Sequence, residues 1–90
     1  MFEFDISDEL KVLMRKLSKK DKIRISILNK KVKEIINNDT SSIDRYKNCK
    51  YDLKDFKRVH IDKSFVLLFR VFKDKNMIYF WRLEHHDKIY

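Results

Sequence analysis

Eight consecutive residues, Phe65–Phe72, are apolar on both faces of an extended chain apart from Arg70. Successive side chains of a strand point to opposite faces, so this run needs a strand on each side and a cover over each face. It reads as the central strand of a sheet. The flanking stretches supply its neighbours. Residues 56–61 alternate, with Val59 and Ile61 on one face and Arg58 and His60 on the other; residues 77–84 form the last strand. Asp62-Lys63-Ser64 and Lys73-Asp74-Lys75-Asn76 are the turns between them.

Pairing Ile61 with Phe65 and Phe72 with Met77 sorts the side chains. Arg58, His60, Val66, Leu68, Arg70, Tyr79, Trp81 and Leu83 share one face; Val59, Ile61, Leu67, Phe69, Val71, Ile78 and Phe80 share the other. The second face is drier and is expected to take the helices. The first mixes cations, an imidazole and aromatics, which suits stacked bases and phosphates.

The N-terminal half supplies the cover. Phe2-Glu3-Phe4-Asp5-Ile6 alternates like a half-buried strand. Ser7 is placed to cap a helix whose first turn carries Asp8 and Glu9, where the helix dipole favours anions. Leu10, Leu13, Met14 and Leu17 form its apolar stripe. Ser18 to Asp21 fits a capping box that starts a second helix, with Ile25, Leu28, Val32, Ile35 and Ile36 buried and Asn37-Asn38-Asp39 ending it. Residues 40–55 read as an irregular polar loop anchored by Tyr46 and Cys49. The expected architecture is α+β: an N-terminal strand and a helical hairpin packed on a small antiparallel sheet, in the order β-α-α-β-β-β, as one domain spanning residues 1–90.

The chain contains no glycine and no proline. That excludes glycine-rich phosphate loops and dinucleotide fingerprints, and leaves the turns to Asn, Asp and Ser. With one cysteine no internal disulfide forms, and a reducing, cytoplasmic setting is expected. No run approaches the ~20 apolar residues of a spanning helix, so no membrane is expected. The formal net charge is +8, and residues 11–33 hold ten Lys and Arg against the single acid Asp21. Charge of this size on so small a body favours nucleic acid or an acidic protein segment as partner. His85-His86-Asp87 holds three ligand types, but adjacent histidines lack zinc-site spacing, so neither a metal nor another cofactor is expected.

The order of these parts resembles the RelE/ParE toxin superfamily, in particular its messenger-RNA-cleaving members. The resemblance covers nearly the whole chain. It is most specific in Asp55-Phe56-Lys57-Arg58-Val59-His60-Ile61, in the central strand, and in His86-Asp87-Lys88-Ile89-Tyr90. It implies a RelE-like toxin of a type II toxin-antitoxin system that cuts messenger RNA on the ribosome without a metal. It also implies a cognate antitoxin that wraps and neutralises the toxin, through an acidic or amphipathic segment. Carried over by position, Arg58 and His60 match the outward basic pair of the strand after the loop, His86 a polar position near the end, and Tyr90 the terminal aromatic. The family's next strand carries an arginine near its start, where this chain has Val66; Lys63 and Arg70 are the cations nearest in sequence.

Metal-free cleavage needs a base at the ribose 2′-hydroxyl, an acid at the leaving 5′-oxygen and cations on the developing charge. Histidine serves either proton role, its reference pKa being about 6.5. The expected catalytic set is His60, His86, Tyr90 and Arg58, with Lys57, Lys63, Arg70, Tyr79 and Trp81 binding RNA or phosphate. His85 and His86 diverge if extended, so at most one of them belongs to the site. Two other readings stay open: a ParE-like toxin acting on DNA gyrase, and an RNA-binding relative with weak or no turnover.

Overall fold

The computed structural model describes residues 1–88, with Lys88 described by its backbone alone. Four strands, β1 (Glu3–Ile6), β2 (Lys57–His60), β3 (Phe65–Phe72) and β4 (Met77–His85), form one sheet in the order β1-β4-β3-β2. β2, β3 and β4 are antiparallel, and β1 adds to β4 in parallel. The helices α1 (Asp8–Lys20) and α2 (Lys22–Ile36) lie between β1 and the rest. This is the β-α-α-β-β-β order expected, with the N-terminal strand incorporated as a parallel edge.

Local chemistry sets the helix limits. The Ser7 hydroxyl accepts from Leu10 N at 3.0 Å, as an N-cap should. One residue then joins the helices. Asp21 N donates to Leu17 O at 2.8 Å, closing α1, while the Asp21 carboxylate accepts from Arg24 N at 3.0 Å, opening α2. Ser18 therefore does not cap α2. It lies inside α1, its hydroxyl donating to Arg15 O at 2.7 Å, and Asp21 at the joint takes the cap instead. α2 buries Leu28, Val32, Ile35 and Ile36 against Leu67, Phe69, Ile78 and Phe80, which places the main core on the face expected to be dry.

The opposite face departs from expectation. Residues 40–55 are not irregular throughout. They make two 3-10 turns, Ser42–Arg45 and Tyr51–Leu53, and send side chains to both sides of the sheet. Ile43 and Tyr46 enter the main core, whereas Cys49, Leu53 and Phe56 join Trp81 over Val66 and Leu68. Two fully buried aliphatic side chains on β3 require a cover, and the loop provides it. That part of the face is closed to a ligand.

β4 carries a bulge. Arg70 faces Tyr79 and Phe69 faces Phe80 as the turn chemistry predicts, but Leu68 faces Arg82 and not Trp81. The carbonyls of Phe80 and Trp81 both reach Ser7, the first accepting from its N–H at 2.9 Å and the second from its hydroxyl. Successive carbonyls of a regular strand point apart, so this double contact marks the extra residue. Beyond it every side chain changes face. Leu83, expected beside Trp81, packs into the main core, and Arg82 takes its place with the guanidinium 4.0 Å above the Trp81 ring. Asn76 closes the β3–β4 turn at φ 51°, the left-handed conformation that asparagine supplies in a chain without glycine.

Candidate active site

β2 and β4 are separated by β3, so side chains from their ends meet only if the chain crosses the β2–β3 turn. It does so directly after β4. His85 is the last ladder residue, opposite Phe65. His86 opens a 3-10 turn, His86–Lys88, and its N–H donates to Ser64 O at 2.8 Å. The chain is thus bonded across the turn, and the His86 ring lies 5.4 Å from the His60 ring between centroids. The other member of the pair goes elsewhere: the His85 ring meets Phe65 edge-on at 5.5 Å. Asp87 stands between the two, 3.4 Å from His86 Nδ1 and 3.6 Å from His85 Nδ1.

The turn beneath His86 is held by Asp62. One carboxylate oxygen accepts from Ser64 N at 2.8 Å and from Phe65 N at 2.9 Å. The other accepts from Arg24 Nε at 2.9 Å, and the Arg24 guanidinium also lies 4.5 Å above the Phe65 ring. Burial pushes the Asp62 carboxyl up, but the two backbone donors and the Arg24 cation outweigh it and hold the group below the ordinary carboxylate value. A line of bonds therefore runs from α2 through Asp62 and Ser64 to His86. Sequence reasoning assigned no role to Arg24 or Asp62. The signal was present locally, since Asp followed two residues later by Ser is an Asx turn; the contact with Arg24, 38 residues away, was not.

Arg58 emerges from β2 on the same side as His60 and donates through Nη1 to Asn48 O. It also faces Cys49, whose thiol is pushed up by burial, with Arg58 opposing the shift. Lys63 is exposed in the turn that carries His86. The structure thus assembles Arg58, His60 and His86, with Lys63 on the adjoining turn. Tyr90 lies outside the described residues.

The remaining candidates sit elsewhere. Lys57 is only 8% exposed. It alternates onto the core face, where its ammonium donates to Tyr46 O and Asn48 Oδ1, both at 3.0 Å. It ties the loop to the sheet and is not presented to a ligand. Arg70 and Tyr79 face each other, but Arg70 is four residues along β3 from Val66, the partner of His60. At the rise of a strand that is about 13 Å from the histidine pair. Trp81 is engaged by the Phe56 ring at 4.5 Å and by the Arg82 guanidinium at 4.0 Å. Val66 is fully buried beneath Cys49, so this position offers a side chain to the cover and none to the open site. Among the described residues no group of three His, Cys, Asp or Glu converges on a metal position, and no helix is long and apolar enough to cross a membrane.

No family model matches the sequence. A protein of Methanocaldococcus jannaschii assigned as toxin RelE4 is 44% identical over 90 residues, covering 100% of this chain and 92% of the relative. Among solved structures, a metal-bound toxin from Helicobacter pylori superposes with a TM-score of 0.74 at 22% identity over all of both chains. A chain of the heterotetrameric YoeB-YefM toxin-antitoxin complex from Staphylococcus aureus superposes with a TM-score of 0.73 at 20% identity, over 96% of this chain and 98% of that one. The structural matches establish a shared fold. With a full-length relative at 44% identity, the chain belongs to the RelE family of toxins.

Proposed function

We propose that this toxin is a ribosome-dependent endoribonuclease that cleaves messenger RNA without a metal ion. The observation that carries the reading is the His60–His86 pair, two imidazoles 5.4 Å apart, one from the end of β2 and the other from the turn that follows β4, a strand β2 does not touch. In this reaction the ribose 2′-oxygen attacks the adjacent phosphorus as its proton passes to one imidazole. The bond from phosphorus to the 5′-oxygen breaks, and the other imidazole protonates that oxygen, leaving a 2′,3′-cyclic phosphate. The base is a neutral imidazole and the acid an imidazolium, with the two roles unassigned between His60 and His86. Arg58 and Lys63 meet the charge that builds on the phosphate, and Tyr90 orients the nucleotide. The partner that restrains the toxin is a cognate antitoxin with an acidic or amphipathic segment, a reading supported by the net charge of +8 and by the toxin-antitoxin complex of the same fold. The working compartment is the cytoplasm, where ribosomes are.

The test is incubation of the protein with translating ribosomes, mapping new messenger 5′ ends. Cleavage is expected with a chelator that strips transition metals and spares the magnesium that ribosomes need, and it falls by at least a hundredfold in His60→Gln and in His86→Gln, the usual scale for a lost acid or base. Tyr90→Phe separates proton transfer from nucleotide contact. Full cleavage by both histidine variants sinks the assignment. Inhibition of DNA supercoiling without new 5′ ends would instead make the protein a gyrase poison.

A further inference from the structure

The polar stretch before β2 contributes to the site in a way the nuclease reading does not use. Asn48 bridges Lys57 in antiparallel fashion, and Arg58 N donates to Lys47 O at 2.9 Å. Residues 47 and 48 therefore run along the outer edge of β2. Antiparallel neighbours present their side chains to the same face, so Lys47 stands beside Arg58. The next alternate residue, Arg45, comes to the His60 end. Arg45, Lys47, Arg58 and His60, with Tyr46 and Val59, line a pocket of about 390 Å³.

The cations of this pocket are not equivalent. Arg45 is committed to the fold: its guanidinium donates to Tyr46 Oη at 3.0 Å and lies 3.5 Å from Glu34 Oε2. Lys47 is exposed, and its ammonium makes no ion pair among the described residues. The carboxylates of the region are already engaged, Glu34 by Tyr46, Lys31 and Arg45, and Asp44 by Lys73 and Lys57. An exposed ammonium beside an arginine, in a pocket whose wall includes His60, is the environment of a second phosphate on a polyanionic strand.

We propose that the pocket is a phosphate subsite for the nucleotide next to the scissile one. Lys47 is its principal cation, and Arg45 shapes its wall. The inference rests on the nuclease reading for its link to cleavage, but its binding component stands separately. Neutralising one phosphate of a single strand contributes about 0.7 to the slope of log affinity against log salt, which amounts to about fivefold at 0.1 M salt. A subsite beyond the reacting atoms acts on binding and leaves the chemical step alone.

The experiment compares Lys47→Gln with Lys30→Gln, an exposed cation on α2 that changes net charge equally. Affinity for a short single-stranded RNA, blocked by 2′-O-methylation, is measured across a salt series, and cleavage of ribosome-bound messenger is measured with the same variants. Lys47→Gln is expected to weaken binding about fivefold at 0.1 M salt, to flatten the slope by about 0.7, and to raise KM with kcat unchanged. Lys30→Gln should change each much less. Equal effects from the two variants, or no effect of Lys47→Gln, overturn the subsite; in the second case continued cleavage by the parent protein leaves the nuclease reading intact. If the parent does not cleave but Lys47→Gln alone loses affinity, the nuclease reading fails and the subsite stands as an RNA contact.

Discussion

Asp62 offers the sharpest test of how the fold positions its chemistry. Replacing it by alanine removes three hydrogen bonds at 2.8, 2.9 and 2.9 Å and leaves the N–H groups of Ser64 and Phe65 and the Arg24 guanidinium without this acceptor. Charge-assisted bonds contribute about 1.5–3 kcal/mol each when buried. The Asp62 side chain is 23% exposed, so solvent competes. Discounting to ~1 kcal/mol per bond gives about 3 kcal/mol for Asp62→Ala. For a domain of this size that lowers Tm by roughly 12–24 °C. Asp62→Asn keeps an acceptor for the two backbone donors and loses only the ionic bond, so about 1 kcal/mol is expected. Urea unfolding measures both, and an unchanged m-value licenses reading the midpoint shift as stability.

The functional half of the prediction follows from the bond between His86 N and Ser64 O. Loosening the turn displaces one of the two imidazoles proposed to act on the same phosphodiester. Leu28→Ala, on a fully buried α2 side chain that forms no hydrogen bond to the turn, serves as the comparison because it too costs about 2–5 kcal/mol. At a temperature where both variants remain folded, Asp62→Ala should lose at least tenfold more cleavage rate than Leu28→Ala. Equal rates would show that the turn does not position His86. A loss below about 1 kcal/mol for Asp62→Ala would refute the energetic account of the carboxylate.

Other consequences follow from the same structure. Asp62, Glu34 and Asp44 all sit below their ordinary carboxylate values, Glu34 chiefly through the Tyr46 hydroxyl and Asp44 through Lys73. Groups depressed in the folded state stabilise it above their unfolded values, about pH 4, and that contribution is lost as pH falls through the folded values; urea midpoints should therefore be flat from pH 7 to 5, drop below pH 4, and drop less in Asp62→Asn. Ser7→Ala removes both the cap on Leu10 N and the donor to the bulge carbonyl of Trp81, so a loss of about 1–2 kcal/mol is expected in the same unfolding assay. The Cys49 thiol is buried and pushed upward, so iodoacetamide at neutral pH should label it far more slowly in the folded protein than in urea.

Much of this molecule is legible in one dimension because its periods are short. The central strand shows in a continuous apolar run, the helices in stripes at three and four residues, and α1's start in Ser7. The turn residues set the pairing of Phe72 with Met77 and of His60 with Val66. Arg58 and His60 fall on one face by alternation alone. Three things needed the folded chain. The bulge at Trp81 exchanges Leu83 for Arg82, because a hydroxyl seventy-four residues away captures the extra carbonyl. The loop over Val66 and Leu68 closes a face whose residue types suggested an open one, since a covered aliphatic and an exposed one look alike in a sequence. Most consequential, His86 reaches His60 only because the chain leaves β4 one residue past the start of β3 and bonds across a turn that Asp62 and Arg24 hold. Residue identity decides which groups can titrate or carry charge; which of them meet depends on hydrogen bonds between segments that no local period connects.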